Sequence, residues 1–387
     1  MEQAVFDLSP LTRSLSDSVR EQATAPSIRL SEDACSALLQ IAIRHDVAHL
    51  LTPMVAMAEL SADSPVAKTV EQKKLHAFFR CEQQLYESNR ISAWLTKEAI
   101  PYLPLKGTVL RPLYPEPWMR SCGDLDILIP KEQLERAVNR LCAEGFRADP
   151  QDSHDVSLYS ESGVHVELHF SLTDPFSDSH DPILDGVWES VHPLAEHPME
   201  QRMTDPFFYY YHIAHMAKHI RTMGVCGIRP FLDLWVLWNR TDPDREAREA
   251  LLAQGGLLTF GRAAEQLARV WFDGEAHTEL TKELEQYVLR GEQGNKEQEI
   301  LTNRARQKTG RLSYAFSRIF LRRDLLETQY PVLRKHPSLL PVCQVRRWFR
   351  LLFGGKLFSS AEELQANGRL SEQELTRVDN LLRKLEL

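Results

Sequence analysis

Residues Leu103–Ile129 read LPLKGTVLRPLYPEPWMRSCGDLDILI, and Gly123-Asp124-Leu125-Asp126 within them decides how the chain is read. Two carboxylates stand one residue apart at the entrance to an apolar run. Side chains of a strand alternate between its faces, so Asp124 and Asp126 share one face while Leu125, Ile127 and Ile129 take the other. Like charges held side by side repel, and a hard divalent cation with oxygen ligands is the natural means of keeping them there. Upstream, Lys106-Gly107-Thr108 closes one apolar segment and opens the next, the signature of a strand-to-helix turn. Glycine in such a turn admits close approach of backbone N–H groups to a ligand, and a helix start favours anions.

Working outward, residues 99 to about 172 alternate short apolar segments with turns. The strand-like segments are Tyr102–Leu105, Leu125–Ile129, Phe146–Ala148, Val156–Tyr159 and Val164–Phe170. Residues 131–144 carry a helical pattern, with Gly145 where a helix-terminating glycine belongs. Glu161-Ser162-Gly163 between two alternating runs marks a hairpin. In its second strand Val164, Val166, Leu168 and Phe170 form one face, and His165, Glu167 and His169 the other. If that strand neighbours the Asp124–Asp126 strand, the three carboxylates make an oxygen-rich pocket for one or two Mg²⁺ or Mn²⁺ ions. Gly107 and Thr108 would then supply N–H groups and a hydroxyl to a triphosphate. Lys106 and Arg120 would neutralise developing charge. Ser121 completes the candidate nucleotide-binding set.

The flanks read as helical, giving three regions: 1–98, a core at 99–200, and 201–387. Ser31 has the character of an N-cap, a second helix is expected from Val47 to Leu60, and a long one from Val66 to Lys97. In that long helix Leu75, Phe78, Phe79, Leu85, Ile91 and Leu95 are expected to face the core. Helices are expected again at 206–218, 231–238, 245–252, 262–271, 282–293, 311–327, 345–352 and 371–385. Asp174–Asp185 and His197–Pro206 read as linkers. The fold class is therefore α+β, a small mixed-sheet core between helical regions.

The order Gly-hydroxyl residue, Gly-Asp-x-Asp, then an apolar-Glu-apolar strand resembles the polymerase-β-like nucleotidyltransferase superfamily. More narrowly, LKG…LYPEPWMRSCGDLDILI…VHVELHF is similar to an uncharacterised bacterial nucleotidyltransferase family. The similarity extends to His215–His219, Phe231–Leu234 and Tyr330…Pro341, covering most of residues 100–350 and leaving about the first 95 outside. The resemblance implies transfer of a nucleoside monophosphate from an NTP with release of pyrophosphate. It also implies metal binding by Asp124 and Asp126, with Glu167 as the third carboxylate, orienting or deprotonating the acceptor. Two features depart from the superfamily pattern. The turn is Gly-Thr, where Gly-Ser or Gly-Gly is usual, and fifteen residues (Val109 to Gly123) separate Thr108 from Asp124. A catalytically inactive nucleotide- or RNA-binding protein on the same fold is the alternative.

Composition bounds the rest. The chain has 387 residues, 43% hydrophobic and 26% charged, with no apolar run long enough to span a membrane. Its acidic start lacks the basic and apolar parts of a signal peptide, and its six scattered cysteines form no CxxC pair, so the expected compartment is cytoplasmic. Thirteen basic and two acidic residues lie between Arg304 and Lys356, a local balance of +11 that leaves −19 to the rest of a chain of net charge −8. Such a tract points to a polyanion or to charge complementarity within the chain; among the open acceptors, an RNA end, a protein side chain or a small molecule, it tilts slightly toward RNA. His212, His215 and His219 recur along one helical face, where packing against neighbouring aromatics outweighs metal binding. Asp233 inside an apolar stretch needs a buried partner, and Arg229 one turn earlier is the expected one.

Overall fold

The computed structural model describes residues 7–20, 30–173, 181–241, 244–290, 296–307, 316, 319–321, 323–330, 332–353 and 367–387. The chain divides into two compact units, Met1–Met216 with Gly227–Glu285, and Ala217–Cys226 with Gln286–Leu387.

The first unit begins with α1 (Ser9–Arg20), α2 (Glu32–Arg44), α3 (Thr52–Met57) and α4 (Pro65–Lys97). Ser31 caps α2 by accepting the Ala34 N–H, as its sequence position predicts. The helix expected from Val47 to Leu60 is instead a 3-10 turn at Ala48–Leu50 followed by α3. Pro53 explains the break: it lacks an N–H and fits the first turn of a helix, not its interior. Ser64 and Pro65 start α4 in the same way.

The buried stripe of α4 differs from the one its large apolar residues predict. Leu75, Phe78 and Phe79 are exposed, whereas Val70, Ala77, Cys81, Gln84, Glu87, Ile91 and Leu95 are buried. Small and polar residues take the inner face because that face meets polar backbone, as the site shows below.

Five strands form one mixed sheet: β1 (Leu103–Pro104), β2 (Leu125–Leu128), β3 (Arg147–Ala148), β4 (Asp155–Tyr159) and β5 (His165–His169). Their order is β1-β2-β5-β4-β3, and only the central β2–β5 pair is parallel. Between β1 and β2 lies the short helix α5 (Lys106–Leu110), and between β2 and β3 lies α6 (Leu134–Ala143). Gly145, at φ +94°, ends the α6 segment, and the hairpin turns at Gly163, φ +82°. One sheet face is the core: Leu125, Ile127, Val156, Leu158, Val166 and Leu168 pack with Ile91 and Leu95 of α4 and Ala137 and Leu141 of α6. Each such aliphatic side chain contributes roughly 1.5–3 kcal/mol on burial, which fixes which face is left for chemistry.

After the sheet come α7 (Pro182–Asp185) and a two-stranded ribbon, β6 (Val191–Pro193) with β7 (Gln201–Met203). The ribbon falls partly in the stretch read as a linker, because three-residue strands carry too little alternation to show. It is tied to the sheet segment by the Tyr102 N–H to Met199 and the Gln201 N–H to the Tyr102 carbonyl. The helices α8 (Asp205–Met223), α9 (Ile228–Arg240), α10 (Arg245–Gln254), α11 (Leu258–Asp273) and α12 (Glu279–Arg290) follow; of the three unit boundaries one falls inside α8, one between α8 and α9, and one inside α12.

In the second unit α13 (Lys296–Gln307) packs against α17 (Glu372–Lys384), which Ser371 and Glu374 start with a capping box. A small cluster of Leu326, Leu333 and Cys343 joins α14 (Arg323–Gln329), α15 (Val332–Lys335) and α16 (Leu340–Phe353). Of the basic tract, Lys308, Arg311, Arg318, Arg322 and Lys356 lie outside the described residues, as do the starts of the helix expected at 311–327 and of the Asp174–Asp185 linker. Arg304 is no part of an outward basic surface. It is buried, 3.2 Å from Asn367 Oδ1 and 3.2 Å from Glu372 Oε1, so internal complementarity accounts for that member of the tract. Arg323 likewise pairs with Glu327. No helix among the described residues is long and apolar enough to cross a membrane.

Candidate active site

The opposite face of the sheet is polar, and register builds it. Asp126 of β2 lies directly across from Glu167 of β5, and across β5 the partners continue as Ser157 to Glu167 and Asp155 to His169. Two-residue alternation adds Asp124, just before β2, and His165 on β5 to the same face. The three carboxylates named from sequence are therefore brought to one face, on the two parallel strands at the centre of the sheet.

His169, which sequence reasoning left as either site or surface, is buried in the middle of them. Its Nε2 is 2.8 Å from Asp126 Oδ1 and 3.4 Å from Glu167 Oε2. From above, Lys106 Nζ donates to Asp126 Oδ1 at 2.9 Å. Lys106 starts α5 at φ +44°, in the left-handed region uncommon for a residue with a Cβ.

These contacts set the charges. Burial opposes ionisation of Asp126, but Lys106 and then His169 outweigh it and hold its pKa well below the carboxylate range. Burial pushes the Asp124 carboxyl up, and the charge on Asp126 pushes it further. For Glu167 the hydrogen bond from His169 is the largest influence and lowers its pKa. Burial would lower the Lys106 pKa, yet Tyr211 and Asp126 reverse that and raise it. Tyr211 of α8 has its own pKa raised by burial, so at neutral pH it is an uncharged phenol and Asp126 is the effective counter-charge of Lys106. Asp126 is thus satisfied by the Lys106 ammonium and by His169, while Asp124 is the carboxylate still short of positive charge.

The loop that delivers Asp124 is held by its carbonyls. Arg111 Nε donates to Arg120 O (3.3 Å), Arg229 to Ser121 O (3.2 Å), Gln84 Nε2 to Cys122 O (3.2 Å) and Arg80 to Gly123 O. Gln84 and Arg80 come from α4, and the buried Gln84 is one of the polar residues of its inner face. Glu87, also on that face, accepts from Ser162 Oγ in the hairpin at 2.9 Å.

The remaining sequence candidates are placed as follows. Gly107 is buried, and a Cβ there would lie 2.0 Å from Cys122 Sγ, so its small size lets α5 pack on the loop. The Thr108 N–H donates to the Leu105 carbonyl. Ser121 Oγ donates to Asp46. Arg120 is buried with its Nε 2.7 Å from Asp233 Oδ1, which also accepts the Tyr114 hydroxyl at 2.7 Å. Asp233 therefore pairs with Arg120, not with the expected Arg229, which pairs with Asp46. Sequence distance hid this: the partner is 113 residues away. His212 sits in helix packing, its Nε2 3.0 Å from the Pro230 carbonyl.

Donor atoms fit a divalent cation. Among the described residues Asp124, His165 and Glu167 form one group able to hold an ion, and Asp126, Glu167 and His169 another. Glu167 belongs to both. The oxygen set suits a hard cation, and the two imidazoles beside it are what sequence reading did not count.

A family model described as an uncharacterised nucleotidyltransferase matches residues 31–273. That span begins at the N-cap of α2, so it takes in α2, α3 and α4, which the sequence resemblance left outside, and it ends with α11, short of the Tyr330…Pro341 segment that the resemblance included. No curated protein and no solved structure matches the chain.

Proposed function

Because the chain belongs to this family of uncharacterised nucleotidyltransferases and is an enzyme that transfers nucleotidyl groups, we propose that its reaction is centred on Asp124, Asp126 and Glu167. In this reading a nucleoside monophosphate passes from an NTP to an acceptor nucleophile and pyrophosphate leaves. The observation that carries it is the direct pairing of Asp126 with Glu167 across parallel strands, with Asp124 on the same face.

Asp124, Asp126 and Glu167 would hold Mg²⁺ or Mn²⁺. The bound ion supplies Lewis-acid stabilisation of phosphate charge and lowers the pKa of an attacking hydroxyl. Lys106, already charged and 27% exposed at its side chain, stands where a phosphate oxygen can take its ammonium alongside Asp126. His169 orients Asp126 and Glu167 by bridging them through one nitrogen. Glu167, the more open of the two at 26% side-chain exposure, is placed to accept a proton from the acceptor. Thr108 and Ser121 are further candidates for nucleotide contact, whereas Gly107 and Arg120 serve the site through packing and through the loop that carries Asp124. The acceptor is an RNA end, a protein side chain or a small molecule. RNA is supported by the basic tract between Arg304 and Lys356, thirteen basic residues against two acidic, of which Arg346 and Arg350 lie exposed on α16.

The test is label transfer from each α-phosphate-labelled NTP with Mg²⁺ or Mn²⁺, offering RNA, protein and small metabolites. Label in an acceptor that disappears with Asp124→Asn/Asp126→Asn is the expected result. Equal labelling by that double variant would remove both carboxylates from the reaction.

A further inference from the structure

The polar sheet face continues beyond Glu167 to side chains for which nucleotidyl transfer has no use. His154 and Asp155 stand at the start of β4, and Asp155 is the direct partner of His169 on β5. One ligand atom from each of His154, Asp155 and His169 lies within 4.8 Å of the other two. His154 Nε2 is 3.4 Å and His169 Nδ1 3.9 Å from Asp155 Oδ2. The two rings face one another, centroids 5.8 Å apart and 30° from parallel.

The nitrogens pointing the other way are also occupied. Ser153 Oγ lies 3.0 Å from His154 Nδ1, and Asp126 Oδ1 lies 2.8 Å from His169 Nε2. A histidine that ligates a metal presents one bare nitrogen and donates its other N–H to an oxygen, which fixes ring and tautomer. Both imidazoles hold one nitrogen against an oxygen in that way and turn the other toward Asp155. Two imidazoles and one carboxylate suit zinc, cobalt or another transition ion, for which nitrogen ligands compete well; Mg²⁺ prefers an all-oxygen shell. His169 is buried and the other two are half-buried, so the group is shaped yet open for entry.

We propose that His154, Asp155 and His169 bind one transition-metal ion of the zinc class, separate from the divalent ion of the carboxylate site. His169 joins the two sites: with Nδ1 on the metal, its Nε2–H is directed at Asp126. Occupancy thereby locks the orientation of a carboxylate central to the transfer reaction. Binding at the triad is independent of that reaction, and only the link to Asp126 rests on it.

The experiment titrates Co²⁺ into full-length, metal-stripped protein with Mg²⁺ in large excess, read by visible ligand-field absorption and by calorimetric stoichiometry; Zn²⁺ is titrated in parallel. One tightly bound ion per chain is expected. Ser153→Ala should weaken it about tenfold or more, as loss of a supporting hydrogen bond does. His154→Ala and Asp155→Asn should each weaken it further, with far-ultraviolet circular dichroism confirming the fold. Asp124→Asn should leave the absorption unchanged, whether or not nucleotidyl transfer survives. Failure of the wild-type chain to bind Co²⁺ over Mg²⁺ would overturn the proposal. So would absorption that persists in folded His154→Ala and Asp155→Asn, or that vanishes only with Asp124→Asn.

Discussion

Asp233→Ala should be among the most damaging single substitutions in the first unit. Asp233 is fully buried, and its Oδ1 takes both the Arg120 guanidinium and the Tyr114 hydroxyl at 2.7 Å. Arg120 is itself only 7% exposed. Removing the carboxylate leaves a guanidinium in a low-dielectric interior with no counter-charge, which costs about 3–5 kcal/mol. The stranded Tyr114 hydroxyl adds about 1 kcal/mol. A loss of about 4–6 kcal/mol compares with a total stability of about 5–15 kcal/mol for an ordinary domain, so the variant should sit close to unfolding. Urea titration followed by circular dichroism and tryptophan fluorescence measures it. The companion is Arg120→Met/Asp233→Leu, which removes both charges and should recover most of the loss. The single variant should also weaken NTP binding, because Arg120 donates to the Ser121 carbonyl in the loop leading to Asp124. A loss under about 1 kcal/mol for Asp233→Ala, or a double variant as unstable as the single one, would refute the reasoning.

Lys106→Met removes the charge-assisted contact of buried Asp126, so it should lower stability by about 1.5–3 kcal/mol in a urea titration and raise the KM for NTP about ten- to hundredfold. Steady-state kinetics with an unchanged KM would leave Lys106 as a partner of Asp126 alone. Gly107→Ala drives a methyl group into Cys122 Sγ and should cost about 1–3 kcal/mol; Gly107→Ala/Cys122→Ala should return most of it, as urea midpoints would show. Acid should destabilise the chain through His45, whose burial lowers its pKa from 6.5 to about 4 and whose two ring nitrogens have no partner among the described residues. Below 6.5 the unfolded chain takes up a proton that the folded one refuses, so this contribution is complete above pH 6.5 and is lost on the way down to about 4. The loss amounts to about 3 kcal/mol, and His45→Phe should flatten the pH dependence of the melting temperature in that window.

Much of the site was legible because its logic is local. Alternation alone puts Asp124 with Asp126 and Glu167 with His165 and His169, and the Glu161–Gly163 turn announces the hairpin. What alternation does not state is which strands are neighbours, and the parallel β2–β5 pairing is what turns two polar faces into one site. His169 was ambiguous for the same reason: beside Glu167 on an isolated strand it fits open surface equally well. The stripe on α4 misled because Phe78 and Phe79 are more hydrophobic than Ala77 and Cys81, whereas the inner face had to accommodate loop carbonyls. Gln84 and Arg80 reach those carbonyls, and Glu87 the Ser162 hydroxyl, across about forty or more residues of sequence, and no periodicity encodes such contacts. The Arg120–Asp233 pair is the same case at greater distance: sequence signalled that Asp233 needed a cation, and only the fold identified it. The ribbon of β6 and β7 was too short to read.

The most direct measurement is equilibrium binding of a non-hydrolysable NTP analogue to the full-length chain, with and without Mg²⁺, for wild type and for Asp124→Asn/Asp126→Asn. It needs no knowledge of the acceptor. The site described here predicts tight binding by the wild-type chain that requires the divalent ion, and loss of that metal dependence in the folded double variant. Equal, metal-dependent binding by both proteins would contradict it and place the nucleotide away from the carboxylates of β2 and β5.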